Sequence, residues 1–259
     1  MTTDGRRDPA ADREPTTRPS VSVVIPVRDD ARALERCLEL LARQSVRPLE
    51  VVVVDNGSSD DSAEVARRAG ARVVVEPLVG IPAAAATGYD AARGEIIARL
   101  DADSRPGPDW LELVVERMLG SPELDALTGT GRFHDLPRGA RTAVSLAYLG
   151  SYYVMAHLAI ARTPLWGSCM ALRRSAWTDV RSEVERRDPE VHDDLDLAAF
   201  LDPGAARLEP RWRVEVSSRS LRGRAQRRRR WDRAWRTLER SWAAAPPWRR
   251  WYERLAGPG

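Results

Sequence analysis

The segment that most constrains this sequence is a short apolar run that ends in two carboxylates. Residues 96–100 read Ile-Ile-Ala-Arg-Leu, and Asp101, Ala102 and Asp103 follow directly. The run is typical of a buried strand, and open α/β sheets bind ligands at the carboxyl ends of their strands. Keeping two neighbouring carboxylates ionised costs free energy unless a cation accompanies them. The pattern indicates Mg²⁺ or Mn²⁺ holding a phosphorylated ligand, and a strand followed by a polar turn is the alternative.

Strands alternate with helices through the first hundred residues. Apolar runs at 21–26, 49–54 and 73–75 predict strands, and amphipathic segments that predict helices separate them. Beyond residue 110 the pattern loosens, although helices over 109–119 and 142–161 are still indicated. The alternation predicts an α/β fold with a largely parallel, Rossmann-like sheet and helices on both faces.

The composition excludes several kinds of site. All 41 basic residues are arginine, so neither a Walker A loop nor a Schiff-base lysine is possible. The two cysteines, Cys37 and Cys169, lie far apart and predict neither a zinc site nor a disulfide framework. A reducing cytosol is therefore the expected location.

Composition shifts along the chain suggest three parts. Residues 1–19 are polar, lack the apolar core of a signal peptide and predict a disordered tail. Residues 20–215 carry the α/β pattern, and residues 216–259 form a basic, tryptophan-rich extension that we expect to be helical. No segment is expected to cross a membrane, since the most apolar one, at 143–160, is interrupted by polar residues and falls short of a full span.

Four motifs follow one another along the chain, at residues 21–27, 53–60, 88–103 and 192–197. In this order they resemble the family 2 glycosyltransferases, which have the GT-A fold. The first strand resembles that of the family, and so does the polar loop after the second strand. A helix–strand segment ending in Asp-x-Asp comes third, and a pair of acids stands where the family usually has Glu-Asp.

This resemblance implies a site for a nucleotide-diphosphate sugar. Asp55 would accept a hydrogen bond from the base, although capping the following turn is the alternative for this residue. Asp103 would hold the divalent metal, Mg²⁺ or Mn²⁺, that neutralises the diphosphate. The other residues that the resemblance assigns to nucleotide-sugar binding are Pro26, Val27, Gly57, Asp101 and Ala102.

The resemblance also implies an inverting transfer to an acceptor hydroxyl. Asp194 would be the general base, and Asp193 is the alternative because it stands where the family more often has Glu. Ala85 and Ala86 replace an Arg-Asn pair that the family commonly carries. A catalytically impaired nucleotide-binding or membrane-docked interaction protein is therefore the second hypothesis.

The extension offers a surface for a partner. Trp231, Trp235 and Trp242 recur at helical spacing among arginines, a pattern typical of a helix on an anionic membrane. Packing of the same stripe on the catalytic domain is equally consistent with the pattern. A membrane contact on the inner face of the plasma membrane would suit a lipid-linked acceptor, and no nucleic-acid partner is expected because no binding module accompanies the arginines.

Overall fold

The computed structural model describes residues 18–221 and 223–256, so residues 1–17 of the expected tail lie outside the described part. Within it, eight strands form one sheet. They are β1 (Val21–Val27), β2 (Glu50–Asp55), β3 (Arg72–Val75), β4 (Ile96–Arg99), β5 (Arg105–Pro106), β6 (Ala126–Phe133), β7 (Met170–Arg173) and β8 (Ala206–Val216).

Helices connect the strands and cover both faces of the sheet. Their apolar residues follow helical spacing, as in the first helix, where Leu34, Leu38 and Leu41 are buried. The α-helices described are α1 (Ala31–Leu41), α2 (Ser62–Arg68), α3 (Ile81–Ala91), α4 (Trp110–Leu119), α5 (Arg138–Ile160), α6 (Arg174–Val180), α7 (Asp193–Phe200), α8 (Arg224–Ala244) and α9 (Pro247–Ala256), and a 3₁₀ helix spans Ser218–Leu221.

The strand order is β3-β2-β1-β4-β7-β6-β8-β5. The first four strands in this order are parallel neighbours, as predicted. In the second half, β7 runs antiparallel to both β4 and β6, and β5 runs antiparallel to β8. Strands β6 and β8 are again parallel, so the expectation of a largely parallel sheet is confirmed, with β7 and β5 as its antiparallel strands. Long connections such as α5 and the loop after it let a strand return in either direction, which alternation alone does not reveal.

Alternate residues of the central strands feed two apolar layers. Val23 and Ile25 face a layer that also contains buried residues of α1 and α4. Val24 faces the opposite layer, which includes buried residues of α3 and α5. This period-two division is what a sheet covered on both faces requires. The parallel pairing of β1 with β2 and with β4 places the carboxyl ends of these three strands along one edge.

Strand β8 lies in the arginine-rich segment, where the sequence pattern predicts no strand. Trp212, Val214 and Val216 are buried, while Arg211 and Arg213, on either side of Trp212, are exposed. The alternation is that of a strand with one buried face. The many arginines of this segment obscure its period of two in the sequence.

Helix α5 is longer than the sequence pattern predicts. It has 23 residues and a most apolar window with mean hydropathy 1.4, so by length and composition it could cross a membrane. The expectation that this apolar segment is too short for a full span is therefore wrong. In the fold α5 packs on β6, where the Tyr153 hydroxyl donates a hydrogen bond of 2.5 Å to the carbonyl of Gly129. Only 28% of the apolar window is buried, so much of α5 stays exposed.

The last two helices pack against α5. The Trp242 indole donates to the carbonyl of Ala159 at 2.9 Å, and the Trp251 indole donates to the carbonyl of Leu158 at 3.0 Å. Trp231 and Trp235, in contrast, are exposed. The expected tryptophan stripe is therefore divided between packing on the domain and exposure.

Candidate active site

The ends of β1 and β2 place four of the predicted donor-binding residues together. Pro26 pairs in register with Val54, and Val27 pairs with Asp55. One carboxylate oxygen of Asp55 accepts a hydrogen bond of 3.0 Å from the backbone N–H of Ser58, so the turn-capping role does occur. Gly57 has φ +76°, a conformation that favours glycine, and this allows the loop to turn tightly after the strand.

Asp101 and Asp103 leave the adjacent strand β4 at the same edge. Asp101 Oδ2 accepts a hydrogen bond of 2.5 Å from the Ser168 hydroxyl, and its Oδ1 accepts one of 3.2 Å from Arg99. The Asp101 side chain stays 39% exposed, whereas Ala102 is buried. Asp101 is thus held in place by the protein while remaining accessible to a ligand.

Asp103 has an arginine beside it. The Arg219 Nε lies 3.3 Å from Asp103 Oδ2, and the same guanidinium forms an ion pair with Asp30. Burial and, after it, the neighbouring charge of Asp101 raise the pKa of Asp103 to about 6, although Arg219 opposes this shift. A cation therefore already accompanies this acidic group, as the sequence argument requires.

These acids fit a divalent metal in part. Within the described residues, no group of three His, Cys, Asp or Glu side chains is arranged to hold a metal ion. Mg²⁺, however, is usually bound through one or two carboxylates with substrate phosphates and water supplying the rest. Asp103 can be such a ligand, so a metal here requires the donor's phosphates to complete its coordination.

Arg99 joins the two groups of acids. It ends β4, is 2% exposed, and forms a buried ion pair with Asp193 at the start of α7. Its guanidinium also donates to Asp101 and, at 3.2 Å, to the Tyr89 hydroxyl. Because buried charges persist only when they are paired and hydrogen-bonded, Arg99 fixes the distance between the Asp-x-Asp segment and α7.

Asp193 and Asp194 have different surroundings. Burial raises the pKa of Asp193 to about 6, although the Arg99 guanidinium opposes this shift. Asp194 is not engaged by a guanidinium in the described residues. Its Oδ2 accepts from the backbone N–H of Gly167 and its Oδ1 from the N–H of Leu195, both at 2.8 Å. Each oxygen retains a further lone pair that can accept a proton.

Helix α8 holds α7 in place. The Thr237 hydroxyl accepts from the backbone N–H of His192 at 2.9 Å, and Arg240 forms an ion pair of 2.6 Å with the fully buried Asp196. The Arg233 guanidinium donates to the carbonyl of Val191 at 2.9 Å. The basic extension therefore supports the segment that carries Asp193 and Asp194.

A family comparison agrees with this arrangement. Residues 22–180, more than half of the chain, match the sequence model of glycosyl transferase family 2. The chain belongs to glycosyl transferase family 2. The family resemblance inferred from the four motifs is thereby confirmed.

Curated members of the family are similar over part of their length. Glycosyltransferase AglE of Haloferax volcanii is 35% identical over 136 residues, which are 49% of this chain and 44% of AglE. Undecaprenyl-phosphate 4-deoxy-4-formamido-L-arabinose transferase of Pseudomonas paraeruginosa is 36% identical over 107 residues, which are 38% of this chain and 32% of that protein. The family 2 chain thus spans less than half the length of these relatives.

Solved structures share the fold. The mannosyltransferase PcManGT from Pyrobaculum calidifontis, in complex with GDP-Man and Mn²⁺, has a TM-score of 0.67 and 25% identity, over 91% of this chain and 68% of that one. Glucosyl-3-phosphoglycerate synthase from Mycobacterium tuberculosis, in complex with UDP, has a TM-score of 0.63 and 21% identity, over 86% and 80% of the two chains. These similarities confirm the expected GT-A fold.

Sequence reasoning about this family 2 chain missed the arginines of the site. Arg99 lies two residues before Asp101, and a charge inside an apolar strand is a signal that could have identified it. Arg219 carries no such signal, because it is one arginine among many in the basic extension. Only the fold brings it to Asp103.

Proposed function

We propose that this protein is an inverting glycosyltransferase that moves a sugar from a nucleotide-diphosphate donor to an acceptor hydroxyl with the help of a divalent metal. The observation that carries the proposal is the buried link from Asp101 through Arg99 to Asp193, with Asp194 adjacent. This link holds a donor-binding edge and a candidate base at a fixed separation, as a single displacement requires.

Binding of the donor would use the edge formed by β1, β2 and β4. Asp55 would accept a hydrogen bond from an N–H of the base with lone pairs that the Ser58 contact leaves available. Pro26, Val27 and Gly57 would line the nucleotide, and Asp101 and Ala102 would contact its sugar and phosphate portion. The GDP-Man complex of PcManGT, which has the same fold, supports a nucleotide-sugar donor.

Asp103 is the residue we assign to the metal. Asp103 would hold Mg²⁺ or Mn²⁺, and the bound cation would supply positive charge for the leaving diphosphate. The Mn²⁺ complex of PcManGT supports this assignment. Arg219, which contacts Asp103, would have to share this carboxylate with the cation or move away from it.

Asp194 is the residue we assign as general base. Backbone N–H groups of Gly167 and Leu195 orient its carboxylate without neutralising it, so it can take a proton from the acceptor hydroxyl. Asp193 keeps its ion pair with Arg99 and positions α7. One base and one displacement give a product with inverted anomeric configuration.

A lipid-linked acceptor and a peripheral membrane contact extend this proposal. Exposed apolar side chains lie on α5, which includes Val154, Met155 and Leu158, and on α9, which includes Trp248 and Leu255. The two helices meet where Trp251 contacts Leu158, and arginines flank them. Apolar and aromatic side chains beside arginines are typical of a surface that binds an anionic bilayer. The undecaprenyl-phosphate transferase relative supports an acceptor of this kind.

The test combines binding with turnover. Thermal shifts with UDP, GDP and other nucleoside diphosphates, with and without Mn²⁺, identify the base; hydrolysis of the matching nucleotide sugar then reports activity. We expect a stabilising shift that requires Mn²⁺ and is lost in Asp103→Ala. Tight binding that survives chelation contradicts the metal assignment. Metal-dependent binding with no transfer or hydrolysis of any donor favours the impaired, nucleotide-binding alternative. That alternative is based on Ala85 and Ala86.

A further inference from the structure

The loop between α5 and β7 contacts both acidic groups of the site. The backbone N–H of Gly167 donates to Asp194 at 2.8 Å, and the Ser168 hydroxyl donates to Asp101 at 2.5 Å. The two donors belong to consecutive residues, so the path of the loop determines where both carboxylates are held. We call residues 165–168 the site loop.

Two consecutive tyrosines of α5 hold one peptide unit of the site loop from its two ends. The Tyr152 hydroxyl donates to the carbonyl of Leu165 at 2.5 Å. The N–H of Trp166, in the same peptide unit, donates to the Thr128 hydroxyl at 3.1 Å, and that hydroxyl lies 3.0 Å from the hydroxyl of Tyr153. Because a peptide unit is planar, holding its C=O and its N–H fixes the orientation of the whole unit.

The hydrogen bonds around Tyr153 run in one direction. Tyr153 donates its only hydroxyl proton to the carbonyl of Gly129 at 2.5 Å, so it accepts from Thr128. Thr128 in turn accepts from Trp166, and each hydroxyl thus donates once and accepts once. Thr128 and Tyr153 are both buried. Removing one hydroxyl therefore leaves a buried partner unpaired, which costs free energy.

The two tyrosines are fixed donors rather than groups that exchange protons. Burial is the main cause that raises the pKa of Tyr152 and Tyr153, and the negative charge of Asp194 acts in the same direction. Both hydroxyls therefore stay protonated at neutral pH, and neither can serve as the base. Their effect on the reaction has to pass through the site loop.

One residue separates the held peptide unit from the N–H that orients the base. The φ and ψ angles of Trp166 connect unit 165–166 to the next unit, which carries the Gly167 N–H. The Trp166 ring restricts these angles, because it lies against Gly131 in the space that a Cβ there would fill. The positions of the two tyrosine hydroxyls therefore determine how the Gly167 N–H points toward Asp194.

We propose that Tyr152 and Tyr153 are positioning residues of the sugar transfer, which act through the site loop to direct the Gly167 N–H at the base Asp194. This inference rests on the proposed function, because it assigns a role relative to the base of that reaction. General-base catalysis requires the base to be aligned with the proton that it takes. The buried face of α5 thus contributes to catalysis, separately from the exposed apolar face of the same helix.

The test removes single hydroxyl groups and keeps the rings. Tyr152→Phe and Tyr153→Phe each break one of the two connections to the site loop. Ser145→Ala is the matched control, because Ser145 is also buried on α5 but accepts from the N–H of Phe133 at 3.0 Å, outside the site loop. We expect kcat to fall about tenfold in each tyrosine variant and less than about twofold in the control, with donor KM within about twofold of the wild type.

The pH dependence of kcat distinguishes positioning from a general loss of stability. The Gly167 N–H stabilises the charged form of the Asp194 carboxylate, so a base with a misdirected N–H holds its proton more tightly. The acidic side of the kcat profile should therefore move to higher pH by about 0.5 unit in both tyrosine variants. Other groups that interact with this charge, Arg99, His192 and Asp193, are retained in every variant. A variant that is only less stable keeps the wild-type profile wherever it is folded.

Thr128 provides a second test that leaves both tyrosines in place. Thr128→Val removes the hydroxyl at nearly equal volume, and Thr128→Ser retains it. We expect Thr128→Val to reproduce the loss of kcat and the pH shift of Tyr153→Phe, and Thr128→Ser to retain nearly wild-type values. The double variant Thr128→Val/Tyr153→Phe should lose no more than either single variant, because both changes break the same connection.

Hydrogen exchange of the Gly167 amide reports the loop geometry without turnover. With isotope-labelled glycine in the full chain, NMR should show exchange about tenfold faster in Tyr152→Phe and Tyr153→Phe than in the wild type, and unchanged in Ser145→Ala. An equal loss of kcat in Ser145→Ala overturns the inference.

These outcomes separate the positioning role from the proposed function. A wild type that transfers sugar, with tyrosine variants that keep its kcat, pH profile and Gly167 exchange, overturns the positioning role alone. A wild type that transfers sugar from no donor contradicts the proposed function, and faster Gly167 exchange in the variants then still supports the control of the site loop by the tyrosines.

Discussion

Arg99, the last residue of β4, forms a buried ion pair with Asp193, the first residue of α7. The two residues are 94 positions apart in sequence, and the pair ties the Asp-x-Asp edge to the helix that carries the candidate base. Removing one partner of a buried pair leaves an uncompensated charge, which typically costs about 3–5 kcal/mol. The relative position of the Asp-x-Asp edge and α7 therefore depends on this buried pair.

Gly167 packs directly against this pair, and a methyl group there is expected to disturb it. A Cβ at Gly167 would lie 2.7 Å from Arg99 Cζ, so Gly167→Ala displaces the guanidinium or the loop whose N–H binds Asp194. We expect a loss of about 1–3 kcal/mol in stability and a drop in kcat of about 10²-fold. Gly150→Ala is the control, because Gly150 has open space around it within α5, and it should be neutral or stabilising. Equal effects of the two changes on kcat would contradict this role of Gly167.

Asp193 gives the fold a measurable dependence on pH. Its pKa in the folded protein is about 6, above the ordinary 3.8, because burial disfavours the charged form. The folded state thus holds a proton that the unfolded chain has released, and the contribution of this group to stability falls as pH rises from about 4 through 6. Asp193→Asn cannot titrate in this pH range and serves as the reference. Relative to it, the free energy of unfolding of the wild type should fall by about 1 kcal/mol between pH 5 and pH 7. Urea denaturation at both pH values measures this, and a constant difference would show that Arg99 keeps Asp193 ionised throughout.

Arg219 is expected to compete with a metal at Asp103. Its guanidinium contacts both Asp103 and Asp30, so a cation must displace it or share the carboxylates. Without nucleotide, Arg219→Gln should therefore bind Mn²⁺ more tightly, by about tenfold if the competition is worth about 1.4 kcal/mol. Electron paramagnetic resonance of free Mn²⁺ gives the affinity. Arg213→Gln, an equal change of charge at an exposed position of β8, is the control. Weaker Mn²⁺ binding in Arg219→Gln would show that Arg219 assists the metal instead.

A residue of this site can be predicted from the sequence only where the pattern that identifies it is local in the chain. Asp55, Asp101 and Asp103 could be located because each follows an apolar strand, a local pattern that predicts the sheet edge. The contacts of Arg219 and Arg230 could not be predicted, because the residues that they contact come from distant segments. Composition does not distinguish one arginine from another. The direction of β7 was missed for the same reason: α5 and the loop after it connect β6 to β7 without fixing the return path. Trp231, Trp235 and Trp242 show the limit of helical periodicity, which identifies a face but not what covers it.

The exposed face of α5 and α9 should bind anionic membranes. Met155→Glu and Leu255→Glu each place a charge on exposed apolar surface, and each should reduce co-sedimentation with phosphatidylglycerol vesicles about tenfold, since a buried side chain of this size contributes about 1.5–3 kcal/mol. Val75→Glu is the control, because Val75 is as exposed but lies at the end of β3. Binding should weaken at high salt and on neutral phosphatidylcholine vesicles. Wild-type protein that stays in the supernatant, or equal losses in all three variants, would contradict a membrane contact through this face.

Asp194 and Asp193 should differ in what their loss affects. Asp194→Asn keeps the shape of the side chain and removes its basicity, so kcat should fall by about 10²–10⁴-fold while the affinity for the nucleotide stays nearly unchanged. Its stability should fall by only about 1 kcal/mol, because the amide retains one of the two hydrogen bonds from Gly167 and Leu195. Asp193→Asn should instead lower kcat less than Asp194→Asn does, because it changes the buried contact with Arg99 and leaves Asp194 in place as the base.

Steady-state kinetics and denaturation of the two variants separate a base from a positioning residue. Anomeric NMR of the product provides an independent check, since one base acting in a single displacement inverts the configuration of the donor sugar. A product of retained configuration would exclude this mechanism. A larger loss of kcat in Asp193→Asn, measured where that variant is fully folded, would transfer the role of base from Asp194 to Asp193.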